Sequence, residues 1–134
     1  MTMPDDIAAT IGNIDVSTYK PSESLGNVPI CSTWIDTGLV DMNVCVGTTG
    51  YHGGDNGCDT YLELADPDGN FAFTALKNKT GQNIGVTISA RGDMELDALI
   101  GSLRFALQML EIQRKTLSAK DDAERERKAA LQGD

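Results

Sequence analysis

The chain has 134 residues, hydrophobic and charged shares of 40% and 23%, 14 glycines against 4 prolines, and a formal net charge of −9. That length fits one domain able to bury a core without staples, and the glycine excess points to short strands and tight turns. Residues 1–100 hold 14 acids against 4 bases and the remainder 6 against 7, so an acidic body repels phosphate backbones, excluding duplex nucleic acid and anionic membranes as partners.

Met1 to Asp6 is polar and Ile7 to Ile11 is too short for a signal peptide or membrane span, which predicts a cytoplasmic protein. Residues 1–25 read as an N-terminal arm with one strand at Ile14 to Tyr19. Val28 to Asp36 and Leu39 to Gly47 are β-branched-rich and flank Thr37-Gly38, the spacing of a two-residue hairpin. Thr48 to Gly57 carries four glycines and almost no apolar side chains, so an exposed loop is expected there.

Cys58 to Ala65 and Asn70 to Lys77 alternate in polarity around the turn Asp66-Pro67-Asp68-Gly69, predicting a second hairpin. Asn83 to Arg91 sets Ile84, Val86, Ile88 and Ala90 on one face and extends that hairpin to a three-stranded meander. Asp93 after Gly92 is a helix cap, Glu95 complements the dipole of the first turn, and the helix is expected to reach about Leu117. Residues 118–134 are charged and read as a helical extension or frayed tail. The fold class expected is thus α+β, a β-meander of five or six strands followed by one long helix. Residues 1–117 form the domain.

This helix has two apolar sides. Leu96, Leu99, Ile100, Leu103, Leu107 and Leu110 form a stripe suited to lying on the sheet. At about 100° per residue, Ala98, Gly101, Phe105, Met109 and Ile112 fall on the opposite side. These five are expected to meet either the N-terminal arm or a second subunit, the latter making a homo-oligomer built on a two-fold axis.

Cys31, Cys45 and Cys58 are odd in number, lack a C-x-x-C pair and share the chain with a single histidine. Reduced thiols are expected, with no disulfide framework, metal or cofactor. His52, Asp55 and Asp59 on the glycine loop are the only start for metal or acid–base chemistry, and one histidine on such a loop makes a poor one, so a structural turn or a loop that closes over a ligand, with His52 and Asp55 as contacts, is expected instead. Asp66 to Asn70 lacks the spacing of a calcium loop. No catalytic set is expected. For a small anion or nucleotide, Arg91 precedes a helix N-terminus, Lys77, Lys79 and Thr80 lie at the turn into the preceding strand, at its opposite end, Phe73 offers a stacking ring, and Arg104 projects from the helix flank.

A meander containing the Gly-Gly-Asp loop of His52 to Gly57, a strand running into Gly92-Asp93-Met94-Glu95-Leu96 and one long terminal helix resembles small phage-encoded accessory proteins. In architecture it is similar to the Thoeris anti-defence sponges of the first type over residues 28–117. The resemblance implies a non-enzymatic oligomer that sequesters a small phosphorylated or cyclic nucleotide in the host cytosol, with Arg91, Arg104, Asn83 and an aromatic ring as contacts. Acidity itself points to another class, an inhibitor whose carboxylates occupy a basic groove of a host nucleic-acid enzyme.

Overall fold

A computed structural model describes residues 14–52 and 57–132, with side chains among these up to residue 118. Strands β1 (Asp15–Tyr19), β2 (Val28–Asp36), β3 (Asp41–Thr48) and β4 (Thr60–Ala65) form an antiparallel four-stranded sheet in chain order. β5 (Phe71–Lys77) and β6 (Asn83–Ala90) form a separate antiparallel hairpin, and α1 (Asp93–Gln132) follows directly. The α+β class and all six strands match the sequence reading.

The connection between β4 and β5 departs from it, because these strands are not paired. Asp66 provides the physical reason: its Oδ2 accepts the Phe71 N–H at 2.7 Å and its Oδ1 the Asp68 N–H at 3.3 Å. Those bonds hold the chain in a local Asx turn that aims β5 away from β4. The turn between β2 and β3 is also one residue later than expected. Thr37 N–H donates to the Val40 carbonyl at 3.0 Å, leaving Gly38 and Leu39 at the apex.

The largest correction concerns α1. Ala98, Phe105 and Met109 are fully buried, and with Ala106 they pack on Cys31, Val44, Val46, Val40 and Met42 of the sheet. The residues expected to form an oligomer interface therefore make the intramolecular core, with Ile112 half-buried against it and Gly101 over Ile35. Small side chains explain the choice. A Cβ at Gly101 would stand 2.9 Å from Ile35 Cγ2, so glycine there, with Ala98 and Ser102 beside it, lets the helix axis approach the sheet closely. Phe105 and Met109 then fill the deeper space, each stabilising the fold by roughly 1.5–3 kcal/mol through burial. Ser102 is buried without cost because its hydroxyl donates to the Ala98 carbonyl at 2.7 Å.

The leucine stripe consequently faces outward. Leu96, Ile100, Leu103 and Leu107 are 57%, 39%, 50% and 58% exposed, whereas Leu99 and Leu110 on its edge are partly buried. β1, at the C-terminal side of the predicted arm, joins the edge of β2 and does not cover this stripe. Residues 1–13 of the arm lie outside the described residues. α1 also continues past Leu117 to Gln132, so the charged segment takes the form of a helical extension.

The root of the β5–β6 hairpin is fixed by Phe71 and Ile88, which pack with Val40, Met42, Ala98 and Leu99. Beyond the root, Phe73, Ala75 and Val86 continue the same apolar face into solvent. At the tip, Asn78 Oδ1 accepts the backbone N–H groups of Thr80 and Gln82 and the Thr80 hydroxyl. The outer side of the four-stranded sheet buries Val28, Ile30 and Cys45 beneath Tyr61, whose hydroxyl donates to Glu63.

Candidate functional site

The glycine loop after β3 is built against the middle of α1. Gln113, fully buried, donates from Nε2 to the Pro29 carbonyl at 2.7 Å and accepts the Thr48 N–H on Oε1 at 3.0 Å. Past this anchor, Thr48 Oγ1 accepts the Gly50 N–H at 3.3 Å and lies 3.0 Å from Thr60 Oγ1. Gly50 has φ +80°, and a Cβ there would stand 2.9 Å from Leu117 Cβ. The loop therefore turns tightly onto the helix, where the Tyr51 N–H donates to Ser118 Oγ at 2.7 Å.

This arrangement leaves a cup of about 190 Å³ lined by Thr48, Gly50, Tyr51, Cys58, Thr60, Leu110 and Arg114. Arg114 Nη1 donates to the Tyr51 hydroxyl at 3.4 Å, and its guanidinium lies 5.8 Å from the centre of the tyrosine ring. A cation, an aromatic face and two threonine hydroxyls so converge on one small recess, which suits a compact anionic or planar group. Arg114 was missed by the sequence reading. Its position four residues after Leu110 carries the leucine stripe onto a cation, and that break in the apolar pattern was the available signal.

His52 is exposed at the rim of this loop, and Asp55 lies outside the described residues. The Asp59 carboxylate accepts the Gly26 N–H at 3.0 Å, which ties it to the chain entering β2. Among the described residues no group of three or more His, Cys, Asp or Glu side chains has metal-binding geometry. Cys31 and Cys45 are buried free thiols and Cys58 is an exposed one. Burial, reinforced by the Cys45 thiol, pushes Cys31 up to about 11, and burial with nearby Glu63 raises Cys45.

The other candidate ligand residues do not converge. Lys77, Lys79 and Asn83 are exposed at the hairpin tip, and the Thr80 hydroxyl is taken up by Asn78 in the turn. Arg91 stands beyond the opposite end of β6, roughly 26 Å from Asn83 at about 3.3 Å per residue. Arg104 is exposed on α1 and makes no ion pair among the described residues. Phe73 pairs with Phe71 at 6.2 Å between ring centres and belongs to the hairpin's apolar face.

A second recess of about 280 Å³ opens between hairpin root and helix start, lined by Phe71, Ile88, Ser89, Ala90, Gly92, Glu95, Leu96 and Leu99. Its one charged lining residue is Glu95, so it suits an apolar occupant and disfavours the anion expected beside Arg91. Burial and the neighbouring Asp36 and Asp68 raise the Asp41 carboxyl above its ordinary range. No described helix is long and apolar enough to cross a membrane. Comparison with protein families, characterised proteins and solved structures finds no match to this chain.

Proposed function

We propose that the chain is a non-enzymatic binding protein that works as an oligomer and makes its principal contacts with protein surfaces. One observation carries this reading. Phe105 and Met109 already fill the space between α1 and the sheet, yet Leu96, Ile100, Leu103 and Leu107 on α1 and Phe73 and Val86 on the hairpin remain exposed, and a recess lined by Leu96 and Leu99 of α1 and by Phe71 and Ile88 at the hairpin root spans the two elements. An apolar surface continuous across two elements is the usual mark of a protein contact. The acidic body, with Asp36, Asp41 and Asp68 drawn together, favours a basic surface for any partner other than itself. Native mass spectrometry of the purified chain tests the reading: an even-numbered assembly without a small ligand supports it, and a monomer at micromolar concentration overturns it.

The cup at Arg114 favours a second reading, sequestration of a small phosphorylated or cyclic nucleotide in an anti-defence role of the kind the resemblance to phage proteins implies. At about 190 Å³ the cup is smaller than most sites for drug-sized ligands, so a nucleotide needs further walls from a neighbouring subunit. Isothermal calorimetry against a panel of cyclic nucleotides discriminates: heat lost in Arg114→Ala supports this reading, and no heat from the wild type excludes it.

A further inference from the structure

The exposed stripe on α1 advances by four, three and four residues, Leu96, Ile100, Leu103 and Leu107, with Leu110 continuing the series. That is the spacing of a two-helix seam, and it lies opposite the face that Phe105 and Met109 bury on the sheet. The two flanks of the seam differ. On one side stand Asp97, Arg104 and Glu111, one heptad apart and alternating in sign; on the other stand Leu99, Ala106 and Gln113, all uncharged and turned toward the chain's own sheet.

We infer that this stripe is the docking surface for a second copy of the chain, with the two α1 helices antiparallel about a two-fold axis passing between Gly101 and Ser102. The charges choose the direction. In a parallel pair each flank faces the opposite flank of its neighbour, so Asp97 and Arg104 would meet Leu99 and Ala106 and find no counter-charge. In the antiparallel pair like flanks face each other. With Leu96 opposite the partner's Leu107 and Ile100 opposite the partner's Leu103, Asp97 of each chain lies beside the partner's Arg104, forming two symmetric ion pairs. A self-complementary patch of this kind is what a closed two-fold dimer requires.

The same direction gives the neighbouring recess an occupant. Past Leu96, the partner's helix runs on toward the hairpin root, carrying the partner's Leu110 toward the apolar recess lined by Phe71, Ile88 and Leu96. The inference rests on the oligomer reading above and specifies which surface makes the oligomer.

The test is site-directed cross-linking of the full chain in a Cys58→Ser background, where the two remaining thiols are buried. Leu96→Cys and Leu107→Cys are prepared separately and oxidised alone and as a mixture. The expected result is a 96-to-107 disulfide in the mixture and none in either variant alone, because identical positions lie about 16 Å apart along the axis at 1.5 Å per residue. Cross-linking of each variant with itself indicates a parallel pair and overturns the inference. A dimeric wild type with no cross-link at any of these positions overturns it while leaving the oligomer reading standing, and a monomeric wild type removes both.

Charge reversal gives an independent readout that leaves the core untouched. Asp97→Arg or Arg104→Asp alone weakens the dimer roughly three- to tenfold, and the double exchange restores it. Equal weakening in the double variant overturns the antiparallel pairing.

Discussion

Gln113 on α1 accepts the backbone N–H of Thr48 on β3 at 3.0 Å, a hydrogen bond that joins positions 65 residues apart inside the core. The same side chain donates to the Pro29 carbonyl, so one amide satisfies a donor on one strand and an acceptor on the next. Gln113→Leu keeps much of the volume and leaves both backbone groups buried without partners, at a cost of about 2–4 kcal/mol. Urea denaturation followed by circular dichroism measures it; a loss below about 0.5 kcal/mol would show that water replaces the amide.

Gly101 and Ile35 give a second prediction, in which two effects oppose. Gly101→Ala gains about 1 kcal/mol in helix propensity but drives a methyl against Ile35 Cγ2. The single substitution is therefore expected to be near neutral or destabilising. In an Ile35→Ala background the clash is gone, and Gly101→Ala becomes stabilising by about 1 kcal/mol. A double-mutant cycle with no coupling would refute the close approach.

Cys31 predicts an alkaline limb of the stability profile. Its folded pKa of about 11 lies above the ordinary 9.0, so the native state holds the thiol proton more tightly than the unfolded chain. The corresponding stability is fully present below about pH 9 and is lost as pH rises toward 11. The measurement is the urea midpoint of wild type and Cys31→Ala across that window. The difference between them should shrink with rising pH, and parallel curves would contradict the assignment.

Cys58 reports on the loop. Ellman's reagent should titrate one thiol in the native chain and three after denaturation, since Cys31 and Cys45 are buried. Gly50→Ala strains a φ of +80° and pushes a methyl toward Leu117, loosening the loop from α1. Faster modification of the Cys58 thiol with little change in the helical signal is the expected outcome. An unchanged rate would mean that the loop does not depend on this close packing.

The strands were legible because alternation and glycine-rich turns are local signals: β2, β5 and β6 match the expected spans to within a residue. Pairing is not local. Nothing in the polarity of Thr60–Ala65 and Phe71–Lys77 distinguishes a hairpin from two strands that part, and the Asp66 side chain decides the matter through bonds that composition does not display. The helix faces were misassigned for a related reason. Both stripes are apolar, and leucine bulk points to the core, whereas closeness of approach selects the face holding Ala98, Gly101 and Ser102. The cup was half legible, in its loop but not in Arg114, because residues 63 positions apart meet only after the helix is set on the sheet.

The break between β4 and β5 has a consequence for how the molecule opens. Among the described residues the hairpin and the four-stranded sheet share no ladder hydrogen bonds, and their buried contact lies at the hairpin's root. The β5–β6 amides beyond Phe71 can therefore exchange with solvent protons by unzipping from the Asn78 turn inward, while the amides of β2 and β3 wait for α1 to leave. Two separable units of different stability are thus joined at Phe71, and closing a second subunit over the outer stripe would lend the weaker one protection that it lacks alone.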